Sequence, residues 1–278
     1  MAQPSAPPRT GFPYLDAVLD QPGSVLAMAH RGGATHPDLG GLENTIEAFR
    51  HAVKLGYHYL ETDVHATRDG VLLAFHDDVL GRVTDHGGRL SEMTAAQVGR
   101  ARIDGRHAVP TIVELLDEFP DVRFNIDIKS ERAIHPLVAS IDRLGAHDRV
   151  CVGSFSAARM TTFRRLTGGR VATAAVPSEV AAFRAALSAA VVRRLVRGRH
   201  NGGPSALQVP HRRGRFTVVT PGLVRRAHAA GLHVHVWTVD EPEEMRELLD
   251  SGVDGLITDR TDVLRDVLVA RGQWRDHP

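Results

Sequence analysis

Two acidic residues, Glu61 and Asp63, lie two positions apart in an apolar run, residues 59–64, that is typical of a β-strand. Because side chains alternate along a strand, both carboxylates leave the same face. Two carboxylates directed at one point repel each other unless a cation lies between them, and oxygen ligands suit Mg²⁺ or Ca²⁺. The spacing therefore predicts a divalent metal site, with a solvated edge strand as the alternative.

Asp127 and Lys129 repeat this spacing at the end of a second apolar run, residues 123–128. Asn125, Asp127 and Lys129 are expected on one face of this strand, with the intervening isoleucines on the other. In the functional interpretation Asp127 completes the metal site and Lys129 neutralises an oxygen of a phosphate. A structural ion pair between the two is the plainer interpretation.

His30 and His76 are the candidates for proton transfer, since each ends an apolar run and precedes a polar residue, Arg31 or Asp77. Histidine titrates near neutral pH, and cleavage of a phosphodiester needs one proton removed and one donated. Arg31 can hold a phosphate through two hydrogen bonds, with a surface salt bridge as the alternative. Most other histidines, including His51, are expected at the surface or in packing.

Eight short apolar runs predict the strands that position these side chains. They are residues 25–29, 59–64, 123–128, 150–154, 171–176, 206–209, 233–238 and 255–258. Most are followed by a helical pattern, and repeated strand–helix units are typical of a parallel sheet. We predict an α/β fold, a closed (β/α)₈ TIM barrel, because there are eight strands and polar residues gather where they end. An open doubly wound sheet is the competing architecture.

One segment departs from this alternation. Asp69-Gly70 is a strong signal for a two-residue hairpin, so residues 71–76 are predicted to form an antiparallel arm beside the second strand. A small irregular insertion, residues 77–110, is expected to follow, with one short helix near 94–100.

Polar residues also mark where helices should begin. Capping-box spacing predicts helix starts at Asn44, Thr94, Thr111 and Asp240. Thr220-Pro221 offers a cap followed by proline at the first helical position. The predicted organisation is an N-terminal extension, residues 1–24, and one barrel domain, residues 25–270, that includes the insertion.

The composition limits the classes of function. Lys plus Arg (34) nearly balances Asp plus Glu (33), so no overall field attracts nucleic acid or a membrane. The single cysteine, Cys151, excludes an intramolecular disulfide and fits a reducing compartment. Since no apolar run has the length of a signal peptide or a membrane span, we expect a soluble cytoplasmic protein. Nothing in the composition indicates an oligomeric state.

The stretch 193–215 is strongly basic, with seven arginines and no acidic residue. A solvated helix end followed by a loop is the favoured interpretation. The alternative is a surface that recruits anionic molecules. Interleaved aromatic residues, which stack on bases in nucleic-acid-binding surfaces, are missing from it, so no nucleic-acid partner is predicted.

Four segments together resemble the glycerophosphodiester phosphodiesterase family. They are His30-Arg31-Gly32-Gly33; Glu43-Asn44-Thr45; Glu61-Thr62-Asp63-Val64, leading through Thr67-Arg68-Asp69-Gly70 to Phe75-His76-Asp77-Asp78; and Asn125-Ile126-Asp127-Ile128-Lys129. Later segments around Trp237 and Asp259 are also similar, so the resemblance runs from about residue 25 to residue 268. Each motif alone is weak, but their order and spacing together are highly specific.

The resemblance implies a (β/α)₈ barrel, one divalent cation (Mg²⁺ or Ca²⁺), and two catalytic histidines that match His30 and His76. The implied metal ligands match Glu61, Asp63 and Asp127. The last is an aspartate where the family more commonly has a glutamate, so its side chain is shorter by one methylene group.

Other positions carry less defined roles in this resemblance. Glu43 either reaches the metal or stabilises its loop. Arg31 and Lys129 would bind the substrate phosphate, and Trp237 would offer an aromatic wall to the glycerol, unless it is a core residue. The segment between Gly33 and Glu43 is longer than the compact proline-containing turn usual in the family.

The implied activity is hydrolysis of a small glycerophosphodiester to glycerol 3-phosphate and an alcohol. One histidine would act as a base toward the glycerol 2-hydroxyl and the other as an acid toward the departing alcohol, giving a cyclic phosphate that is then hydrolysed. A phospholipase-D-like or phosphoinositide-cleaving enzyme on the same barrel is one alternative. A noncatalytic barrel that binds metal and phosphate is the other.

Overall fold

The computed structural model describes residues 7–17, 19, 23–186 and 202–274. The strands are β1 (Leu26–His30), β2 (Tyr59–Ala66), β3 (Leu72–Ala74), β4 (Arg123–Ile128), β5 (Val150–Gly153), β6 (Ala172–Thr173), β7 (Ala206–Pro210), β8 (Arg212–Arg213), β9 (Phe216–Thr217), β10 (His233–Trp237) and β11 (Gly255–Thr258). The helices are α1 (Pro13–Asp16), α2 (Ile46–Lys54), α3 (Ala95–Val98), α4 (Ile112–Glu118), α5 (Ile134–Leu144), α6 (Ala157–Leu166), α7 (Pro177–Ala185), α8 (Pro221–Ala230), α9 (Pro242–Asp250) and α10 (Thr261–Ala270).

Eight parallel strands close into a barrel. Hydrogen-bonded neighbours follow in the order β6, β5, β4, β2, β1, β11, β10 and β7. A parallel bridge between Ala174 and Ala206 joins the two ends of this path. The predicted TIM barrel is therefore confirmed, and the open doubly wound sheet is wrong. All eight predicted strands are present, although β6 is shorter than the predicted run because Val176 already caps α7.

The carboxyl ends of the strands bring polar residues to one level. Where β1 pairs with β2, His30 lies opposite Glu61. Where β2 pairs with β4, Asp63 lies opposite Asp127, and Asp127 in turn lies opposite Gly153 of β5. Residues that are far apart in the sequence thus share one rim of the barrel, the rim at which TIM barrels carry their sites.

The hairpin arm predicted after β2 is β3, which pairs antiparallel with β2, with Val64 opposite Ala74. Together with the predicted insertion, residues 77–110, it forms a packed lobe. The lobe has an apolar core of its own, made of Leu73, Phe75, Leu80, Leu90, Val98, Ala101, Ile103 and Val109. The short helix predicted near 94–100 is α3. The lobe is therefore a fixed structure from which side chains can reach the barrel rim.

The helix caps predicted at Thr94, Thr111 and Thr220 are confirmed, since each hydroxyl accepts a backbone hydrogen bond in the first turn. The predictions for Asn44 and Asp240 are wrong. Thr45 caps α2, because the Asn44 side chain accepts a hydrogen bond from Thr62 of β2 at 2.7 Å. Asp240 accepts one from Thr258 of β11 at 2.9 Å. Both polar side chains therefore hydrogen-bond to a neighbouring strand at the rim and do not cap a helix.

The end of the barrel opposite this rim is closed by residues from the N-terminal segment. Tyr14 and Leu15 of α1 are fully buried, in a cluster that includes Leu26, Tyr59 and Ala172, the first residues of β1, β2 and β6. The Tyr59 hydroxyl donates to the Tyr14 carbonyl at 2.8 Å, and the two rings meet edge to face at 5.2 Å. Burial of each such side chain stabilises the fold by about 1.5–3 kcal/mol.

The basic stretch 193–215 is described only in part, because residues 193–201 lie outside the described ranges. Arg212 and Arg213 form the exposed strand β8, which pairs antiparallel with β9. None of the described helices has the length and apolar character needed to cross a bilayer.

His235 lies inside the barrel and is fully buried. Its Nδ1 is 3.2 Å from Nε2 of Gln208, which also donates to Oδ1 of Asn125 at 2.8 Å. Burial, reinforced by the neighbouring His233, lowers the pKa of His235 well below its ordinary value. The native fold therefore keeps this imidazole neutral near neutral pH.

Acidification should destabilise the fold through His235. The unfolded chain takes up a proton below a pKa of about 6.5 while the native imidazole does not, so the contribution to stability is complete above about pH 6.5 and is lost as the pH falls. The loss approaches about 1.4 kcal/mol per pH unit for one such group. In denaturant unfolding between about pH 7 and pH 5, His235→Gln should show a shallower pH dependence than the wild type. Equal slopes would contradict this account, and His86→Gln, at an exposed site, is the matched control.

Candidate active site

The loop after β1 holds Arg31 in a backbone conformation that few side chains adopt. Arg31 has a φ of 50°, in the left-handed region, and its N–H donates to the Glu61 carbonyl at 3.0 Å. At Gly32, with a φ of 88°, a Cβ would lie only 2.7 Å from the Cβ of Ala48. Gly33 follows with a φ of 92°. Glycine is therefore required at both positions, which explains the run His-Arg-Gly-Gly.

The carboxylates predicted on β2 and β4 meet at the rim. Glu61 and Asp63 are both buried. Asp63 pairs with Nζ of Lys129 at 2.9 Å and with Nε of Arg31 at 3.1 Å, and Lys129 also pairs with Asp127 at 2.8 Å. Burial alone would raise the pKa of Asp63, but Lys129 and Arg31 outweigh it and lower this pKa below its ordinary value. Asp63 is therefore ionised at neutral pH.

Two oxygen groups at this rim fit a cation. Burial and the adjacent Asp63 carboxylate raise the pKa of Glu61 to about 7. Oδ1 of Asp127 is buried and has no hydrogen-bond partner among the described residues. A divalent cation would satisfy both groups. Because all the donors are carboxylate oxygens, the set fits a hard ion such as Mg²⁺ or Ca²⁺.

His30 lies between two acidic residues. Its Nδ1 is 2.8 Å from Oδ1 of Asp259, and its Nε2 is 3.7 Å from Glu61. Burial disfavours the charged imidazolium, but Glu61 and the hydrogen bond with Asp259 outweigh this effect and raise the pKa of His30. The bond with Asp259 also fixes the orientation of the ring.

His76 is held by a chain of ion pairs that crosses from the insertion to the barrel. Its Nδ1 is 2.6 Å from Oδ1 of Asp77, which also pairs with Arg82. Arg82 extends two guanidinium nitrogens to the Glu43 carboxylate, at 2.8 and 2.5 Å. Glu43 pairs in turn with Arg31 at 3.2 Å. One arginine of the insertion therefore connects His76 with the loop that carries Arg31.

A cavity of about 670 Å³, within the usual range for small-molecule sites, opens at this rim. Eight of the nine predicted site residues line it: His30, Arg31, Glu61, Asp63, His76, Asp127, Lys129 and Trp237. Glu43 is not among the lining residues; it contacts Arg31 and Arg82 instead. The structure thus brings the predicted carboxylates, histidines and basic side chains together around one cavity. Glu43 supports Arg31 without lining this cavity.

One wall of the cavity is aromatic. The Trp237 ring meets the Phe155 ring edge to face at 5.8 Å, and Nζ of Lys129 lies 6.0 Å from the Phe155 centroid. Trp237 is half-buried, whereas Phe155 is 63% exposed. Trp237 thus lines the cavity instead of being enclosed in the core.

Comparison with known proteins agrees with this geometry. The model of the glycerophosphoryl diester phosphodiesterase family matches residues 30–263. The chain belongs to this family. A Mycobacterium tuberculosis protein named "Probable glycerophosphodiester phosphodiesterase 2" is 44% identical over 257 residues, which cover 91% of this chain and 94% of the relative. The chain is therefore an enzyme that hydrolyses glycerophosphodiesters, and the noncatalytic alternative is set aside.

Solved structures of the glycerophosphoryl diester phosphodiesterase fold superpose over nearly the whole chain. A crystal structure from Silicibacter pomeroyi has a TM-score of 0.76 at 27% identity and covers 95% of this chain and 100% of that chain. An Oleispira antarctica phosphodiesterase, solved in complex with the product sn-glycerol-3-phosphate, has a TM-score of 0.71 at 21% identity and covers 87% of this chain and 96% of that chain.

Sequence reasoning assigned no role to several residues that shape this family site. Asp259 and Asp77 each hold a histidine, and Arg82 holds Asp77. Gln208 lines the cavity floor and donates to Asn125. Gln208 could have been identified as a candidate from the sequence, because it is the one polar residue in the apolar run 206–209.

If His76 transfers protons, Arg82→Gln should lower kcat by on the order of 10²-fold, because displacing a catalytic group by about 1 Å has an effect of that size. The substitution frees Asp77 and Glu43 while leaving every residue that lines the cavity in place. KM should change less than kcat, and Arg82→Lys should restore only part of the rate, since the single ammonium nitrogen of lysine cannot reproduce the three guanidinium nitrogens that bind Asp77 and Glu43.

Arg50→Gln is the matched control, because Arg50 also binds a carboxylate, Glu118, through two nitrogens, but on an exposed surface. Its kcat should equal that of the wild type. If the Arg82 and Arg50 variants behaved alike in steady-state kinetics, the linkage to His76 would be wrong.

Proposed function

We propose that this chain cleaves glycerophosphodiesters to glycerol 3-phosphate and an alcohol, with His30 and His76 transferring protons at a divalent cation bound by Glu61, Asp63 and Asp127. The observation that carries the proposal is the convergence of all five side chains on one cavity. The product found with the Oleispira antarctica phosphodiesterase supports the same chemistry.

Glu61, Asp63 and Asp127 are the residues that would hold Mg²⁺ or Ca²⁺. When bound, such an ion supplies positive charge for the nonbridging oxygens of the phosphate. Arg31 and Lys129 add to this charge from the protein side. Both cations pair with the buried Asp63 carboxylate, so a phosphate entering the cavity meets donors that are already oriented.

His30 and His76 divide the proton transfers. Each has a carboxylate at Nδ1, which fixes the tautomer and leaves Nε2 for the substrate. One histidine removes the proton of the glycerol 2-hydroxyl, and the other protonates the departing alcohol. The cyclic phosphate that forms is then opened by water, with the two roles exchanged.

We further propose that residues 25–270 act as one catalytic domain in the cytoplasm, on a small diester and without a nucleic-acid partner. The near balance of charge and the single cysteine support this assignment. Arg31, Lys129 and Trp237 would bind the substrate, and Glu43 would position Arg31 without contacting the metal.

His30→Ala and His76→Ala should each lower kcat by about 10²–10⁴-fold, the usual contribution of general acid–base catalysis. Glycerophosphocholine hydrolysis in the presence of Mg²⁺ or Ca²⁺ measures this, and EDTA should remove the wild-type rate. His86→Ala is the matched control, since His86 contacts Asp85 at 2.8 Å much as His76 contacts Asp77, but away from the cavity. Near-wild-type turnover in either active-site variant would show that the assignment is wrong.

A lipid diester is the second candidate substrate, favoured by one observation. Phe155, at the cavity, and Phe216, which is paired with the cavity-lining Arg213, are 63% and 62% exposed. An acyl chain could lie against these rings, as expected for a phospholipase-D-like or phosphoinositide-cleaving enzyme.

If the small diester is the substrate, kcat/KM for glycerophosphocholine should exceed that for lysophosphatidylcholine, and Phe216→Ser should leave the rate on glycerophosphocholine unchanged. Phosphorus NMR of the products separates cyclic from open phosphate. The reverse preference, with a loss on the lipid in Phe216→Ser, would establish the lipid instead.

A further inference from the structure

A second group of potential metal ligands lies outside the cavity, between the loop after β1 and the helix α2. One ligand atom from each of His36, Asp38 and His51 falls within 4.8 Å of the other two. Oδ2 of Asp38 is 4.0 Å from Nδ1 of His36 and 3.8 Å from Nε2 of His51. The two imidazole centroids are 4.3 Å apart. Three donors therefore surround a small common volume.

The hydrogen bonds of His36 leave it in a form that can bind a metal. The backbone N–H of Asp38 donates to Nδ1 of His36 at 3.1 Å, so this nitrogen carries a lone pair and not a proton. The lone pair is on the nitrogen whose distance to the Asp38 carboxylate is 4.0 Å. A metal ion at this position would replace one hydrogen bond and require no change of tautomer.

The exposure of the three side chains differs in a way that suits a site filled from solvent. His36 is buried, and the His51 side chain is 22% exposed, so both rings are held by packing. Asp38 is 76% exposed and can admit an ion. Asp262, another carboxylate whose charge acts on His36, already accepts two hydrogen bonds from Arg260.

We propose that His36, Asp38 and His51 bind a transition-metal ion of the zinc class, at a site separate from the carboxylates of the cavity. Two imidazole nitrogens and one carboxylate oxygen suit Zn²⁺, Co²⁺ or Ni²⁺, whereas Mg²⁺ and Ca²⁺ prefer oxygen alone. The two sites of this chain therefore differ in donor chemistry, and Mg²⁺ should not displace the ion held by the histidines.

The position of this site gives the ion a structural consequence. Residues 34–42 connect the His30-Arg31 end of β1 with Glu43, and the Thr35 N–H donates to the Asp259 carbonyl at 3.3 Å. An ion shared by His36 and His51 would tie this loop to the last turn of α2. The loop is the segment that is longer than the usual turn of the family.

Zinc titration of the wild-type protein, with Mg²⁺ in excess to occupy the carboxylates of the cavity, tests the proposal. Calorimetry in the presence of excess Mg²⁺ should give one zinc equivalent. Adding His36→Gln or His51→Gln should remove this equivalent or weaken it at least about tenfold. His147→Gln is the matched control, because His147 contacts Asp142 at 2.8 Å on an exposed surface, and it should leave binding unchanged.

Cobalt provides a second measurement on the same proteins. Co²⁺ bound through imidazole should give a visible absorption band that is lost in both the His36 and the His51 variants, with far-ultraviolet circular dichroism reporting that each variant is folded. If zinc stoichiometry and the cobalt band are the same in folded His36→Gln, His51→Gln and His147→Gln, the site does not exist.

Discussion

The pairing of buried carboxylates with partly buried cations is the constraint on which the cavity depends. A charged group such as Asp63, with almost no exposure, is destabilising by several kcal/mol unless opposite charges and hydrogen bonds surround it. Lys129 and Arg31 provide those charges, and they come from two different junctions between strand and helix. The ion pairs therefore fix β1, β2 and β4 relative to one another at the rim, as well as polarising the space above them.

Hydrogen bonds with neighbouring residues stabilise the unusual backbone conformation of the loop after β1. A left-handed conformation at a residue such as Arg31 costs about 1–3 kcal/mol and persists only where the surroundings hold it. Here both of its backbone groups are bound, the N–H to Glu61 and the carbonyl by the N–H of Asn44. Asn44 itself is left-handed, with a φ of 58°, and its side chain is bound to Thr62. Local strain in this loop is thus balanced by contacts with β2.

The elements of the fold could be predicted because their signals are local. The alternation of apolar residues is sufficient to place β4 and β11 at their observed bounds. Asp69-Gly70 indicated the hairpin, but its turn has three residues, 68–70, and not two, because the Thr67 N–H pairs with the Val71 carbonyl and only Gly70 is left-handed. Partners across the barrel could not be predicted in the same way. Capping-box spacing at Asn44 failed because a nonlocal hydrogen bond competed with the helix N-terminus.

The site shows the same division between local and nonlocal information. The spacing of Glu61 and Asp63 indicated convergent carboxylates, because a strand fixes side-chain direction over two residues. The contact between Arg82 and Glu43 joins residues 39 positions apart, and nothing in either neighbourhood encodes it. His36 and His51 likewise meet only because the loop folds back on α2, so His51 was assigned to the surface or to packing.

Closure of the far end of the barrel by α1 affects how substrate and products enter and leave the cavity. Because Tyr14 and Leu15 fill the far end of the barrel, the described residues close the cavity at that end. Under the proposed function, diester, water and both products would exchange through the opening at the rim, past the Phe155 and Trp237 rings. An alcohol that dissociates slowly from that opening would delay the release of the phosphate product below it. The size of the leaving group can then limit the turnover rate even when bond cleavage is fast.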